Sequence, residues 1–198
     1  MITLLETIKA RLGLPESDVK DDDLLNSIIE AVGARFDRET NRTLARGAAV
    51  TEEFSGDDCE LRVSRYPIES VASFHLKSDE TEGWVEQADV VYLVRKAVLI
   101  SLGGPVGTAA QQLRVTYTGG YVMPGETAGA GQTALPKELE LAAVEMTLFL
   151  YHNKDRLGIA ATSGSGGSLA FNPVSVVTPF DLLPSVMNVL KKYQRWLS

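Results

Sequence analysis

The apolar residues of this 198-residue chain change period twice, and that change restricts the folds open to it. Near the N-terminus they recur every three or four residues, from about 49 to 118 they alternate or run β-branched, and from Leu135 helical spacing returns. Leu4, Leu5, Ile8 and Leu12 give the apolar face of an expected helix over 3–13, with Gly13 as its stop. Thr3 and Glu6 have the spacing of a capping box at its start. A second helix is expected over 22–41, where Leu24, Leu25, Ile28, Ile29, Val32 and Phe36 recur at helical spacing. Asp21, Asp22 and Asp23 suit the positive end of its dipole.

Val50–Phe54, Leu61–Val63, Val71–Leu76, Val90–Val94, Val98–Ile100 and Leu113–Thr118 read as strands of a small antiparallel region. Gly56-Asp57-Asp58, Tyr66-Pro67, Gly83 and Gly103-Gly104-Pro105 punctuate them, and Gly56-Asp57-Asp58 is most simply a hairpin turn. The strand Val115–Tyr121 ends in Gly119-Gly120, which permits a sharp exit. Residues 122–134 carry scattered glycines without a period and read as a loop.

The main helix is expected over 135–157, opened by Pro136 and stopped by Gly158, with Leu139, Ala142, Ala143, Met146, Phe149 and Leu150 inward. Residues 159–181 are rich in Gly, Ser, Thr and Pro, a composition that cannot bury enough to fix its own conformation. A final helix over about 183–197 carries Val186, Val189, Leu190, Tyr193, Trp196 and Leu197 near one side. Its period allows two readings, a flexible arm reaching a partner or a helix folded back on its own domain. The fold expected is α+β. The N-terminal helices and the 135–157 helix form a helical bundle core, the β region over 49–118 is inserted, and a flexible C-terminal arm ends in a helix. The organisation is 1–158, an arm 159–181, and a helix 182–198.

Catalysis finds little support. His75 and His152 have no Cys, His or carboxylate at ligand spacing, and the aspartates at 21–23 lack the alternation and glycine of a calcium loop. Cys59 stands between Asp58 and Glu60, whose charges oppose a reactive thiolate. Ser163–Ser168 lacks the strand and helix that flank a nucleophile elbow. Gly125–Gly131 lies between strand and helix but lacks a Gly-Lys-Ser/Thr ending, and Pro136 removes an N–H that an anion would need. No catalytic residue, metal ligand or cofactor site is therefore expected. The net charge of −7 argues against a protein that coats nucleic acid. One cysteine excludes an internal disulfide, and no apolar run reaches membrane-spanning length, so a soluble protein made in a cytoplasm is expected.

The order of weak signatures carries more. An acidic helix start precedes Leu24-Leu25, and that helix ends in Thr40-Asn41-Arg42. Glu53-Phe54-Ser55-Gly56, Leu61-x-Val63, Tyr66-Pro67-Ile68-Glu69-Ser70-Val71, the strand Val115–Tyr121 and Leu135-Pro136-Lys137-Glu138-Leu139 follow. Over roughly 3–157 this order resembles the head–tail connector family of tailed double-stranded DNA bacteriophages, also called adaptor or head-completion proteins. Its signature residues here are Arg42, Gly56, Pro67, Tyr117, Gly119, Gly120, Tyr121 and Pro136. The family often has Thr-Gly-Arg where this chain has Thr40-Asn41-Arg42, and Ala-Gly-Tyr where it has Gly119-Gly120-Tyr121. Asn and Gly both tolerate left-handed backbone.

The resemblance implies a structural virion protein without catalysis, made in the bacterial host cytoplasm and placed at the head–tail interface. It implies a ring of copies, usually twelvefold, under the portal protein, offering a platform to the next neck or tail connector. DNA would pass through the channel without specific binding, and no membrane is involved. Leu190, Tyr193, Trp196, Leu197, Lys191, Lys192 and Arg195 would bind the portal or another partner. The alternatives are another neck or tail component, a stopper or tail terminator, or a small ligand-binding module using loop 122–134.

Overall fold

A computed structural model describes residues 1–154, 162–164, 167–169 and 182–195. The described residues hold four helices and eleven strands, a mixed α/β architecture, and the chain divides into two units. The first takes Met1–Phe36 and Pro136–Tyr193, and the second takes Asp37–Leu135 and Gln194–Ser198.

In the first unit, α1 (Leu5–Leu12) ends as expected at Gly13, which is left-handed at φ 69. The capping box does not form. Leu4 is the N-cap residue, so Thr3 lies one position too early, and its buried hydroxyl has no hydrogen-bond partner. α2 (Asp22–Thr40) buries Leu25, Ile29, Val32 and Phe36, one stripe of its surface, while Leu24 is exposed. Lys9 of α1 is buried and donates from Nζ to Asp22 Oδ1 and to Glu16 O, both at 2.9 Å. Asp22 is thus an ion-pair partner as well as a helix-start acid, and the pairing offsets the cost of burying the ammonium.

α3 (Lys137–His152) is shorter than expected at both ends. Asn153 takes the C-cap position, donating its side-chain amide to Phe149 O at 2.7 Å, while Gly158 lies outside the described residues. Leu139, Ala142, Ala143 and Met146 are buried as expected, joined by Val144 and Thr147, while Phe149 and Leu150 are half-buried. α1 and α4 (Pro184–Tyr193) both pack on α3, and α4 buries Val186 and Leu190.

The second unit holds the β region. β1 (Gly47–Ser55), β3 (Ile68–Lys77), β4 (Trp84–Glu86) and β7 (Gln112–Gly119) form an antiparallel sheet in the order β1-β7-β3-β4. β2 (Glu60–Arg62), β5 (Tyr92–Arg95) and β6 (Val98–Ser101) form a second, in the order β2-β6-β5. β7 alternates strictly, burying Leu113, Val115 and Tyr117. These pack with Phe74 of β3 and with Leu61, Val63 and Leu99 to form the core of the unit.

Two expectations need correction. The turn at Gly56-Asp57-Asp58 is not a hairpin, because β1 pairs with β7 and β2 with β6. It passes the chain between sheets, held by Gly56 N–H donating to Gln111 O and Gly107 N–H donating to Gly56 O, each 2.8 Å. Residues 122–134 are not all loop either. β8 (Tyr121–Val122) pairs in parallel with β9 (Thr133–Ala134), so the stretch is closed at its base. Within 159–181, β10 (Thr162–Gly164) pairs with β11 (Gly167–Leu169), and the remaining residues lie outside those described.

Candidate functional site

Most of the signature residues converge on one node of the second unit. It starts where α2 ends. Asn41 adopts φ 51, its N–H donates to Arg38 O (3.2 Å), and Arg42 N–H donates to Asp37 O (3.1 Å). This is a Schellman stop with asparagine in the position glycine usually holds. The turn sends Arg42 inward, where it is 4% exposed. Its guanidinium carbon lies 3.3 Å from the Tyr66 ring centroid and 5.0 Å from that of Tyr121, and Nη2 donates to Tyr66 O. Asp37 accepts the Leu44 N–H at 2.9 Å, and burial pushes its carboxyl up, opposed by that bond and by the charges of Arg65 and Arg42.

Three backbone segments meet around this arginine. Gly120 N–H donates to Pro67 O (2.9 Å), Tyr121 N–H to Leu44 O (2.8 Å), and Arg46 N–H to Tyr121 O (2.9 Å). The Tyr66–Pro67 peptide is cis. A Cβ on Gly119 would sit 2.6 Å from Arg65 O, and one on Gly120 2.7 Å from Ala45 O. Gly120 also has φ 105, so both positions require glycine. Arg65 spans the node, its Nη1 donating to Ala45 O at 2.7 Å and its N–H to the Tyr117 hydroxyl at 3.1 Å. The Tyr117 hydroxyl donates to Glu52, which also accepts Ser64 N–H at 2.9 Å. Burial first, and the Glu52 bond second, push the Tyr117 phenol up to about 12.

Two signature residues fall elsewhere. Gly56 packs under Thr108, and Pro136 is the N-cap residue of α3, its carbonyl accepting Leu139 N–H at 2.9 Å.

The terminal-helix residues do not gather into one free face. Leu190 is 1% exposed. Glu138 on α3 receives Lys192 Nζ (2.8 Å) and the Tyr193 hydroxyl, and Lys192 first, then Tyr193, hold its carboxyl below the usual range. Arg195, in the second unit, donates its N–H to Thr40 O (2.8 Å) and Nη2 to Arg62 O (2.5 Å). Lys191 is exposed, while Trp196 and Leu197 lie outside the described residues. Sequence reading assigned no partner to Glu138, although Glu138 and Lys192 are the opposite charges that make the pair.

Among the described residues no group of three or more His, Cys, Asp or Glu side chains converges, and no helix is long and apolar enough to cross a membrane. Most of the node's polar groups are consumed in internal bonds, Arg42 Nε excepted, and the arrangement fixes the geometry of three chain segments.

Residues 1–90 match the model of the phage gp6-like head-tail connector protein family. The connector resemblance read from the sequence is thereby shown over residues 1–90. The matched segment carries the α2 stop, Arg42, Gly56 and Tyr66-Pro67, while Tyr117–Tyr121 completes the connector node from beyond it. The structure is similar to a chain of the neck of an empty GTA particle computed with C6 symmetry, with TM-score 0.56 and 16% identity. It is also similar to a chain of the virion of a native gene transfer agent particle, with TM-score 0.54 and 19% identity. Both likenesses cover 98% of this chain and 89% of the other. At such identities the likeness is one of fold. Among curated proteins none matches by sequence.

Proposed function

We propose that the protein is a structural connector of a tailed, phage-like particle, a ring adaptor between the portal of the DNA-filled head and the neck or tail. The observation that carries this reading is the connector-family match over residues 1–90 on a chain whose fold follows that of a neck protein over 98% of its length. The node supports it physically, since most of its polar groups tie chain segments to one another. In this reading the protein has no catalytic role and lies in the virion.

Copies of a chain with net charge −7 would line a channel that does not hold DNA, which must slide through it. Twelve copies per ring remains our proposal. A twelvefold ring contains the sixfold symmetry applied to the similar neck, as does a sixfold one. The portal or another partner would meet the C-terminus chiefly through Lys191, Trp196 and Leu197, since Leu190, Lys192, Tyr193 and Arg195 hold contacts within the chain. A stopper or tail-terminator position is the second reading, because one of the two similar structures is described as a whole virion.

Cryo-microscopy of particles containing the protein tests the proposal. Density for a ring of this chain directly under the portal is expected. Density at the far side of the neck or at the tail supports the second reading, and particles that join heads to tails without the protein overturn both.

A further inference from the structure

The β2-β6-β5 sheet is polarised along its strands. Register pairs Glu60 with Ile100 and Arg62 with Val98 on one side of β6, and Tyr92 with Ser101 and Arg95 with Val98 on the other. Ser101 N–H donates to Cys59 O at 2.9 Å, so the acidic turn Asp57-Asp58 lies at the Ser101 end and the Arg95-Lys96 turn at the Val98 end. Glu60 and Arg62 face each other at 3.6 Å and compensate in part. Asp57 and Asp58 accept hydrogen bonds from Ser55, which leaves their charge in place, and Arg95 and Lys96 are exposed.

Among the described residues β5 is an edge of this sheet, and every one of its residues is exposed. Val91 is 64% exposed, Leu93 48% and Leu102 59%, and Leu102 N–H donates to Val91 O, which puts these side chains in one patch. Antiparallel alternation then turns the N–H and C=O of Tyr92 and Val94 to the open side. A bare apolar edge of this kind is a template for another chain, and contiguous exposed apolar surface marks an interaction site.

We infer that this edge is the contact between successive copies of the chain. The basic turn and β5 of one copy would meet the acidic end of the same sheet in the next. Two chains of net charge −7 repel, so a contact between them is favoured where the charge is locally inverted, as at Arg95-Lys96 beside β5. The acidic end at Asp57-Asp58 supplies the complement, and because the two ends differ, the contact is head-to-tail, the kind that closes a ring. The inference rests on the ring reading for its closure, but the contact itself is testable in solution.

The unmodified chain carries its own probes, Lys96 at one end and the lone cysteine, Cys59, half-buried at the other. Equal amounts of ordinary and nitrogen-15-labelled protein, at the highest soluble concentration, are treated with a short amine-to-thiol crosslinker and mapped by mass spectrometry. A Lys96–Cys59 link joining a light to a heavy chain is expected. Leu93→Glu, at an exposed position, should lower its yield roughly tenfold or more, the equivalent of one large apolar side chain lost from a contact. Absence of mixed Lys96–Cys59 links, or a yield unmoved in a Leu93→Glu protein that melts like the parent, overturns the inference. A particle ring whose copies meet elsewhere, with β5 in solvent, would also overturn it while leaving the connector reading standing.

Discussion

The Arg42 guanidinium lies over the Tyr66 ring, its central carbon 3.3 Å from the centroid, while Nη2 of the same group donates to the Tyr66 carbonyl. One side chain therefore fixes both the ring and the backbone of the residue before Pro67. A planar fork does this and an ammonium does not. Arg42→Lys should cost about 1–2 kcal/mol in urea unfolding, the scale of a desolvated cation–π contact, and a variant as stable as the parent would refute the role.

The left-handed turn at Asn41 makes a second prediction. Asn41→Gly should leave stability unchanged or slightly raised, whereas Asn41→Ala should cost about 1 kcal/mol, because an ordinary side chain resists positive φ. Thermal melts of the two variants check the order, and equal melting temperatures would contradict it.

Gly119 and Gly120 leave no room for a side chain. Gly120→Ala should destabilise by about 2–4 kcal/mol, combining backbone strain with the clash against Ala45 O. Replacing both glycines by valine should prevent folding, read by loss of near-ultraviolet dichroism.

Leu190→Ala should lower the stability of the isolated protein by about 2–5 kcal/mol, as for a buried leucine, and Lys191→Ala should not. If Leu190→Ala melts like the parent but fails to join heads to tails, Leu190 is a partner contact and its burial on α3 is not what holds α4.

Tyr117 contributes at the alkaline end. Its phenol is held up to about 12 in the folded protein, against about 10 when unfolded. The unfolded chain thus releases this proton first. Stability from this group is whole below pH 10 and falls as pH rises from 10 towards 12. Urea midpoints at pH 9, 10 and 11 should drop more steeply in the parent than in Tyr117→Phe, and parallel slopes would remove the tyrosine from the account. Asp21 and Glu138 act at the acid end, where Tyr151 and Lys192 respectively hold them low, so their contribution is lost as pH falls below the normal carboxylate range.

Local rules carried the sequence reading where the cause was local. The end of α2 within one residue, the left-handed tolerance at Asn41 and the strand over Leu113–Thr118 follow from spacing and from the turn chemistry of single residues. Sheet assignment did not, because Gly56-Asp57-Asp58 is the same turn whether β1 and β2 pair or part, and distant Gln111 decides it. The apolar run at Val91–Val94 read as an ordinary strand, and its exposure depends on β5 being an edge. The terminal helix announced an apolar face without naming its partner, and α3 supplies one. The Arg42 node was visible as scattered signature residues, but its convergence requires segments from 37, 66 and 120 to meet.

β7 stands between β1 and β3, so both earlier strands pair with a segment that the chain reaches last. A fragment ending at residue 90 would carry the whole connector-family match and yet lack the strand on which β1 and β3 assemble. It would also lack Tyr121, against which Arg42 closes. On the ribosome, the sheet must wait until residue 119 has emerged, with both partners held open as unpaired edges. The segment that carries the family match therefore needs chain beyond it to complete its sheet.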